Sequence, residues 1–381
     1  MALQTSSLLR QLTAFSHRGV GSSSNTKTVT LIAETLQKNG FTVEKQTFQT
    51  PATYVPIMYW LIGVLAFGLL SVQWWGLVSV LLVAISAVNG VLYFDWRPSW
   101  LLYAPPLVRA ENVIGRYGKK NNGRKVILMA HFDSAPVSFL YRRQTKEGFR
   151  NSIRASMVLM ALAVPVVGLS YHLPQNQYLL VIRVLLVTYF LGQAILGTIG
   201  FWQKGFTNGA SDNATGVVAA LATAEKLKAL LKDTEIEVVL TNAEEAGMIG
   251  AYHYFQKKFD KSRQNYLINF DTLGNGQLNV ITKTGSLSLI EYNNDLTKAA
   301  LALIETEPQF KEIAIGDWHT ADFDSVWFVR AGIPCMTLSA LDAEGTMPNI
   351  HRPEDTIDHV DEAPMHQAID FAVAIAQKIS Q

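Results

Sequence analysis

The segment Gly123-Arg-Lys-Val-Ile-Leu-Met-Ala130 is an apolar run of strand length that leads directly into His131-Phe-Asp133. Two later segments, residues 235–240 and 266–270, have the same character and are likewise followed by acidic side chains. Short apolar or β-branched runs without helical spacing are typical of buried central strands. We therefore expect three such strands, each of which ends beside groups that can carry charge.

Amphipathic helical patterns lie between and after these strands, at residues 217–231, 251–259, 288–305 and 364–379. Strands that alternate with helices of this kind favour a sheet covered by helices on both faces. The predicted fold class is α/β, with a mixed, mostly parallel central sheet sandwiched by helices.

In open α/β sheets, ligands bind beyond the carboxyl ends of the strands. Carboxylates at the ends of buried strands are costly unless they are paired or bind a metal. Each group alone also has a structural explanation, since an acidic residue before a helix can simply cap it. Taken together, the following residues are predicted to meet at one edge of the sheet: His131, Asp133, Asp212, Glu244, Glu245, Asp271 and His351.

These motifs resemble those of the M28 family of zinc peptidases, the aminopeptidase type with two metal ions. The matching stretches are Ala-His-Phe-Asp-Ser, Gly-Ala-Ser-Asp-Asn-Ala-Thr-Gly, Ala-Glu-Glu-Ala-Gly-Met-Ile-Gly and Asn-Phe-Asp, together with His351 and Asp355. The resemblance covers about residues 8–50 and 105–381, whereas residues 323–328 depart from the family pattern, so substrate contacts there are not predicted.

The resemblance implies roles for individual residues. Asp212 would bridge two Zn²⁺ ions, with His131 and Asp271 on one ion and Glu245 and His351 on the other. Glu244 would be the general base, and Asp133 would hold His131 through its other ring nitrogen. Three ligand carboxylates against two divalent ions leave a net charge of +1, which suits the activation of a water molecule.

Two long apolar stretches stand apart from this pattern, at residues 56–94, which carry no charge, and at residues 155–202. Each is long enough for two spans of a bilayer, with turns near residues 73–76 and 172–177. We therefore expect four transmembrane helices in two hairpins, the alternative being buried core helices. Arg183 lies near the start of the last span, where its side chain is expected to snorkel to the interface.

The hairpins divide the chain into a discontinuous zinc peptidase domain (1–54, 104–150 and 204–381), hairpin 1 (55–103) and hairpin 2 (151–203). Because hairpin 2 leaves soon after Asp133 and returns just before Asp212, it is expected to depart from the active-site edge. We therefore expect the active site to face the bilayer surface and the hairpins to restrict which peptides enter.

The composition, with 49% hydrophobic and 17% charged residues, fits a multi-pass integral membrane protein. We expect a bacterial-type cytoplasmic membrane. A net charge of +1 does not favour a nucleic-acid partner. The single cysteine, Cys335, excludes an intrachain disulfide and is expected in the core. Basic residues cluster at the domain ends of the hairpins, which predicts a cytoplasmic catalytic domain: Arg97, Arg142, Arg143, Lys146, Arg150, Arg154 and Lys204.

The leading function is hydrolysis of N-terminal residues from peptides by two zinc ions. Two alternatives remain open: a glutaminyl cyclase with one zinc ion, and a catalytically inactive membrane scaffold. The full ligand set favours the hydrolase, but it leaves open the side-chain preference, the release of single residues or dipeptides, the physiological substrate and the oligomeric state.

Overall fold

The computed structural model describes residues 3–118, 123–142 and 146–380. Nine strands in this part of the chain form one sheet. The strands are β1 (Thr42–Pro51), β2 (Leu107–Tyr117), β3 (Arg124–His131), β4 (Glu235–Thr241), β5 (Gln264–Phe270), β6 (Gln277–Thr284), β7 (Ile290–Glu291), β8 (Ala314–Asp317) and β9 (Cys335–Leu341).

The strand order is β1-β2-β4-β3-β5-β9-β6-β7, with β8 beside β6. The four central strands, β4, β3, β5 and β9, are parallel to one another, and the flanking strands pair with them in antiparallel fashion. The predicted mixed, mostly parallel sheet is confirmed, and the carboxyl ends of its central strands share one edge.

Eleven helices are present among the described residues: α1 (Thr5–Thr13), α2 (Ser23–Lys38), α3 (Tyr54–Trp75), α4 (Leu77–Phe94), α5 (Lys146–His172), α6 (Gln177–Lys204), α7 (Gly216–Leu230), α8 (Ile249–Lys257), α9 (Asp295–Thr306), α10 (Val326–Val329) and α11 (Ala363–Ser380). Alternate residues of β3 point to opposite faces of the sheet. Val126 and Leu128 pack with α1, α2, α7, α9 and α11, whereas Ile127 and Met129 pack with α8, α10 and the bases of the hairpins. The sheet is therefore covered on both faces.

The helix predicted at residues 288–305 begins later than expected, at Asp295. Ile290 and Glu291 instead form β7 against the end of β6. The side chain of Asn294 then caps the helix by accepting hydrogen bonds from the backbone N–H groups of Leu296 and Thr297. Strand pairing and this cap together overrule the helical periodicity of the residues before Asn294.

Helices α3 to α6, which we call the hairpin bundle, are long and apolar enough to cross a membrane. These helices cover both long apolar stretches, and α5 begins at Lys146, before residue 151, where hairpin 2 is predicted to begin. In the bundle α3 packs against α4 and α6, and α5 also contacts α4 and α6. The two hairpin turns lie side by side, since the Gln73 side chain donates a hydrogen bond to the Pro174 carbonyl oxygen at 2.9 Å.

The snorkelling predicted for Arg183 is wrong. Its side chain is buried between helices, and Nη1 donates to the Leu69 carbonyl oxygen at 2.8 Å. Leu69 lies near the carboxyl end of α3, where a carbonyl oxygen can accept a second hydrogen bond, so the guanidinium binds the neighbouring hairpin instead of the interface. Cys335 is buried in β9 as expected. Arg143 and the side chain of Lys146, two of the basic groups at the domain ends of the hairpins, lie outside the described residues.

Candidate metal centre

The parallel strands deliver three of the predicted ligand side chains to one edge of the sheet. His131 is the last residue of β3, Asp271 follows β5 directly, and Glu245 follows β4 after a short turn. His131 Nε2 lies 3.7 Å from Asp271 Oδ2. The remaining ligand candidates, Asp212 and His351, reach this edge on loops.

The loop before α7 holds Asp212 between the two histidines. Asp355 fixes this loop, because its carboxylate accepts hydrogen bonds from the backbone N–H groups of Ser211 (2.7 Å) and Asp212 (3.2 Å). Asp212 Oδ1 lies 3.2 Å from His131 Nε2, and Oδ2 lies 3.4 Å from His351 Nε2. One carboxylate thus faces two separate imidazoles.

The side-chain donors form three groups: two share Asp212, and the third consists of His131, Glu244 and Glu245. Of the two that share Asp212, one consists of His131, Asp212 and Asp271 and the other of Asp212, Glu245 and His351, with the donor atoms of each group within 4.8 Å of one another. Glu245 Oε2 lies 3.0 Å from His351 Nε2. The predicted ligands therefore lie together in one pocket, as two three-residue clusters.

Three residues with a left-handed backbone conformation lie at or beside the acidic and histidine side chains of this site. Ala243 before Glu244, Thr272 after Asp271, and His351 itself have φ values of 59°, 51° and 54°. Non-glycine residues in this region cost about 1–3 kcal/mol each and gather at functional sites. The chain therefore accepts local strain where it presents the acidic and histidine side chains.

The donor set fits divalent zinc. Asp212 Oδ2 and Glu245 Oε1 are buried and have no hydrogen-bond partner among the described residues. Buried carboxylate oxygens are costly unless a proton or a cation satisfies them, and zinc takes imidazole nitrogen and carboxylate oxygen ligands. The two orphaned oxygens belong to the cluster of Asp212, Glu245 and His351, so that cluster in particular calls for a cation.

Without a cation, the acidic side chains of the site outnumber its two histidines. Burial raises the pKa of Glu245 to about 7 and that of Asp271 to about 8. Burial lowers the pKa of His351, but the nearby Glu245 and Asp212 carboxylates outweigh it and raise the value to about 10. Divalent cations would supply the missing charge and hold the carboxylates ionised.

Glu244 lies beside the two clusters, with Oε2 at 3.9 Å from His131 Nε2. Burial raises its pKa well above the ordinary value, and the Glu245 carboxylate acts in the same direction. A carboxyl group that binds a proton readily, placed next to metal ligands, is suited to general acid–base work.

Asp133 contacts His131 differently from the expectation. His131 Nδ1 lies 3.2 Å from the Asp133 carbonyl oxygen and 3.6 Å from carboxylate Oδ1. The carboxylate instead accepts hydrogen bonds from the backbone N–H groups of Glu244 and Glu245, each at 3.2 Å. Asp133 therefore holds the Glu244–Glu245 turn with its side chain and lies against the histidine with its main chain.

Three supporting residues were not predicted. The Tyr141 ring packs on His351, with ring centroids 4.4 Å apart. Arg18 is fully buried and donates to the carbonyl oxygens of Phe132, Asn208 and Gly209. Asp324, in the stretch that departs from the family pattern, accepts a hydrogen bond from Thr241 at the end of β4. These residues carry no local sequence signal, because their contacts bridge distant segments.

Comparison with known proteins points to one family of peptidases. Residues 197–376 match the model of peptidase family M28. A relative, Aminopeptidase YwaD of Bacillus subtilis, is 28% identical over 178 residues, which cover 44% of this chain and 37% of the relative. The matched region thus spans well under half the length of that curated protein.

Solved structures of similar fold include BSAP, a zinc aminopeptidase from Bacillus subtilis, with a TM-score of 0.59 and 16% identity over 98% of this chain and 94% of that one. A glutaminyl cyclase from Bacteroides thetaiotaomicron has the same TM-score and identity over 98% and 97% of the two chains. At this identity the structures show the shared fold. The family match and the aminopeptidase relative support a zinc metallopeptidase.

Proposed function

We propose that this chain is a member of the M28 family of zinc metallopeptidases, and that it is a membrane-embedded enzyme with two zinc ions that removes N-terminal residues from peptides. The observation that carries the proposal is the position of Asp212 between the two donor clusters. A carboxylate with one oxygen toward His131 and the other toward His351 has the arrangement expected of a bridge between two ions.

In this proposal His131, Asp212 and Asp271 hold one zinc ion, and Asp212, Glu245 and His351 hold the other. Bound zinc would acidify a water molecule and polarise the scissile carbonyl group. Glu244 takes a proton from the attacking water and returns it to the amine of the leaving peptide. Asp133 positions Glu244 through the backbone of the turn.

The membrane assignment rests on the four apolar helices of the hairpin bundle. Residues 1–54, 104–150 and 204–381 would form the peptidase domain, and residues 55–103 and 151–203 would cross the bilayer as two hairpins. The free amine of the peptide would lie near the acidic groups of the site, which favours substrates with an unmodified N-terminus.

Metal analysis and a substrate panel test the proposal. The full-length protein, purified in detergent, is expected to contain two zinc ions per chain and to hydrolyse aminoacyl substrates. Chelation should abolish hydrolysis and added zinc should restore it. One zinc ion per chain with cyclisation of N-terminal glutamine would favour the cyclase, whose fold this chain shares. Two bound zinc ions without turnover of aminoacyl or dipeptidyl substrates would contradict the peptidase.

A further inference from the structure

A cavity of about 220 Å³ joins the candidate metal centre to the interior of the hairpin bundle. At one end its wall includes Asp212, Glu245 and Asp271. Beyond them loops of the sheet domain, with Trp318 and Phe323, line one part of the wall. All four helices of the bundle contribute the rest, which is mostly apolar and includes Met58, Leu61, Tyr93, Met157, Met160 and Phe190.

The lining residues of α6 occupy one face of the helix, since Phe190, Gln193, Ala194 and Gly197 follow helical spacing. On α5 the lining begins at Phe149 and runs on from Ser152 to Met160. Eight residues of helix correspond to about 12 Å along the axis. The cavity therefore extends well into the bundle instead of stopping at its surface.

Helix packing at Gly90 bounds the cavity on its inner side. A carbon atom added at Gly90 would lie 3.0 Å from Sδ of Met160 and 3.5 Å from a methyl carbon of Leu61, both of which line the cavity. Helices α3, α4 and α5 therefore pack closely at this level. Helices packed this closely leave no room for a peptide chain between them, so the cavity suits a single side chain.

We propose that the hairpin bundle forms the binding pocket for the side chain of the substrate's first residue, and that the enzyme selects peptides that begin with a large apolar residue such as phenylalanine. This inference rests on the proposed function, because only the first residue of an aminopeptidase substrate places both its amine and its side chain beside the metal ligands. An apolar cavity on the order of 150 Å³ accepts benzene, so this one has room for an aromatic ring.

Glycine positions on α6 offer a matched pair of variants. Gly197 lies on the face of α6 that lines the cavity, and a carbon atom added there meets nothing within 4 Å, so the side chain of Gly197→Leu can start into the cavity without a clash at its first carbon atom. Gly192 also has open space around it but does not line the cavity. Both substitutions replace glycine by a better helix former, which protects the fold.

The experiment measures kcat/KM for substrates that begin with phenylalanine or alanine, using full-length zinc-loaded protein in detergent. The wild type is expected to prefer phenylalanine by at least about tenfold, the effect of burying its larger apolar side chain. Gly197→Leu should lower phenylalanine turnover about tenfold while alanine turnover changes less than about twofold. Gly192→Leu should leave both values unchanged.

Binding of phenylalanine hydroxamate and alanine hydroxamate, measured by calorimetry, separates the pocket from the reaction. Tighter binding of the phenylalanine compound, lost in Gly197→Leu but kept in Gly192→Leu, supports the pocket. This holds even if the protein cleaves no peptide, because the absence of cleavage would contradict only the proposed function. Equal affinity for both compounds, or equal losses in the two variants, overturns the pocket. An active Gly197→Leu variant that still prefers phenylalanine also overturns the pocket.

Discussion

At the scale of single residues, Asp133 connects the histidine of β3 to the turn that carries Glu244 and Glu245. Both of its carboxylate oxygens accept backbone N–H groups from that turn. An amide in this position can accept from only one of them and turns an N–H group toward the other. Replacing one carboxylate oxygen of Asp133 by an NH₂ group should therefore displace the turn that carries Glu244 and Glu245.

We predict that Asp133→Asn loses activity and zinc affinity together. The displaced turn moves Glu245 as well as Glu244, so zinc affinity should fall about 10- to 100-fold, the usual effect of losing a group that orients metal ligands. Titration with a competing chelator measures the zinc affinity, and kcat measures how well Glu244 acts as the general base. Unchanged zinc affinity in this variant would contradict the positioning role.

Glu244→Gln should separate the two effects. Glutamine keeps the shape of the side chain but cannot take a proton, so kcat should fall about 10²- to 10⁴-fold. Zinc content should stay at the wild-type level, because Glu244 is not among the proposed ligands. A fully active Glu244→Gln, measured with the same aminoacyl substrates, would refute the assigned general base.

Asp322 gives the protein a pH dependence that does not involve the ligands. Burial raises its pKa to about 7, and it accepts hydrogen bonds from Thr284 and the backbone of Phe323. As pH rises from about 4 to 7, the unfolded chain releases this proton while the folded chain keeps it. Stability should therefore be greatest below this window and fall as pH rises through it.

We predict that Asp322→Asn removes this part of the pH dependence. Its thermal unfolding midpoint in detergent should be close to that of the wild type near pH 4, exceed it increasingly as pH rises to about 7, and exceed it most near pH 8, because asparagine carries no proton to lose. Unfolding is monitored by circular dichroism. A wild-type midpoint that is as high as that of the variant at pH 8 would show that Asp322 is ionised without cost.

At the scale of elements, the sequence predicts the central strands well because they are buried on both faces. Runs such as Val126–Ala130 are continuously apolar and have one possible interpretation. The helix predicted at residues 288–305 starts too early, because Ile290 and Glu291 form β7 and the pairing of β7 with β6 cannot be recognised from the local sequence. Short edge strands carry too few residues to show a period of their own.

The candidate site divides in the same way. The ligand motifs lie at strand ends or before a helix, so local sequence identifies them. Tyr141 and Arg18 act through segments far away in the chain, and their neighbours reveal nothing of those contacts. A buried charge such as Arg183 is also misjudged from sequence alone, because a partner on another helix decides whether it reaches solvent.

Arg183 also provides a test of how the two hairpins are joined. Replacing a buried charge by an apolar side chain of similar length is often neutral or stabilising, whereas truncation leaves a cavity. Arg183→Met should therefore keep or raise the unfolding midpoint in detergent, and Arg183→Ala should lower it. A large loss in Arg183→Met would mean that the bond to Leu69 is essential to the bundle.

At the scale of the whole molecule, the hairpin turns lie at the end of the bundle away from the peptidase domain. Gln73 and Pro174 meet there, while Arg150 and Arg154 pack against carbonyl groups of the loop at residues 285–287. The positive-inside rule then predicts a cytoplasmic peptidase domain and turns on the opposite side of the membrane.

Labelling of a cysteine placed in the second turn tests this orientation. Cys335 is the only cysteine of the sequence and is fully buried, so the background is low. A membrane-impermeant thiol reagent added to intact cells should label Gln175→Cys. Labelling only after the cells are opened, in a protein of normal activity, would place the catalytic domain on the outer side.

The position of hairpin 2 within the chain has a consequence for biosynthesis. The strand that ends in His131 is made before the hairpin, and the loop with Asp212 follows it immediately, so some eighty residues, most of them apolar, separate two neighbours of the finished site. Those neighbours meet only after α5 and α6 have turned back on each other. In the proposed enzyme, the metal centre therefore stays incomplete until α5 and α6 have folded, so peptide hydrolysis would begin only after hairpin 2 has formed.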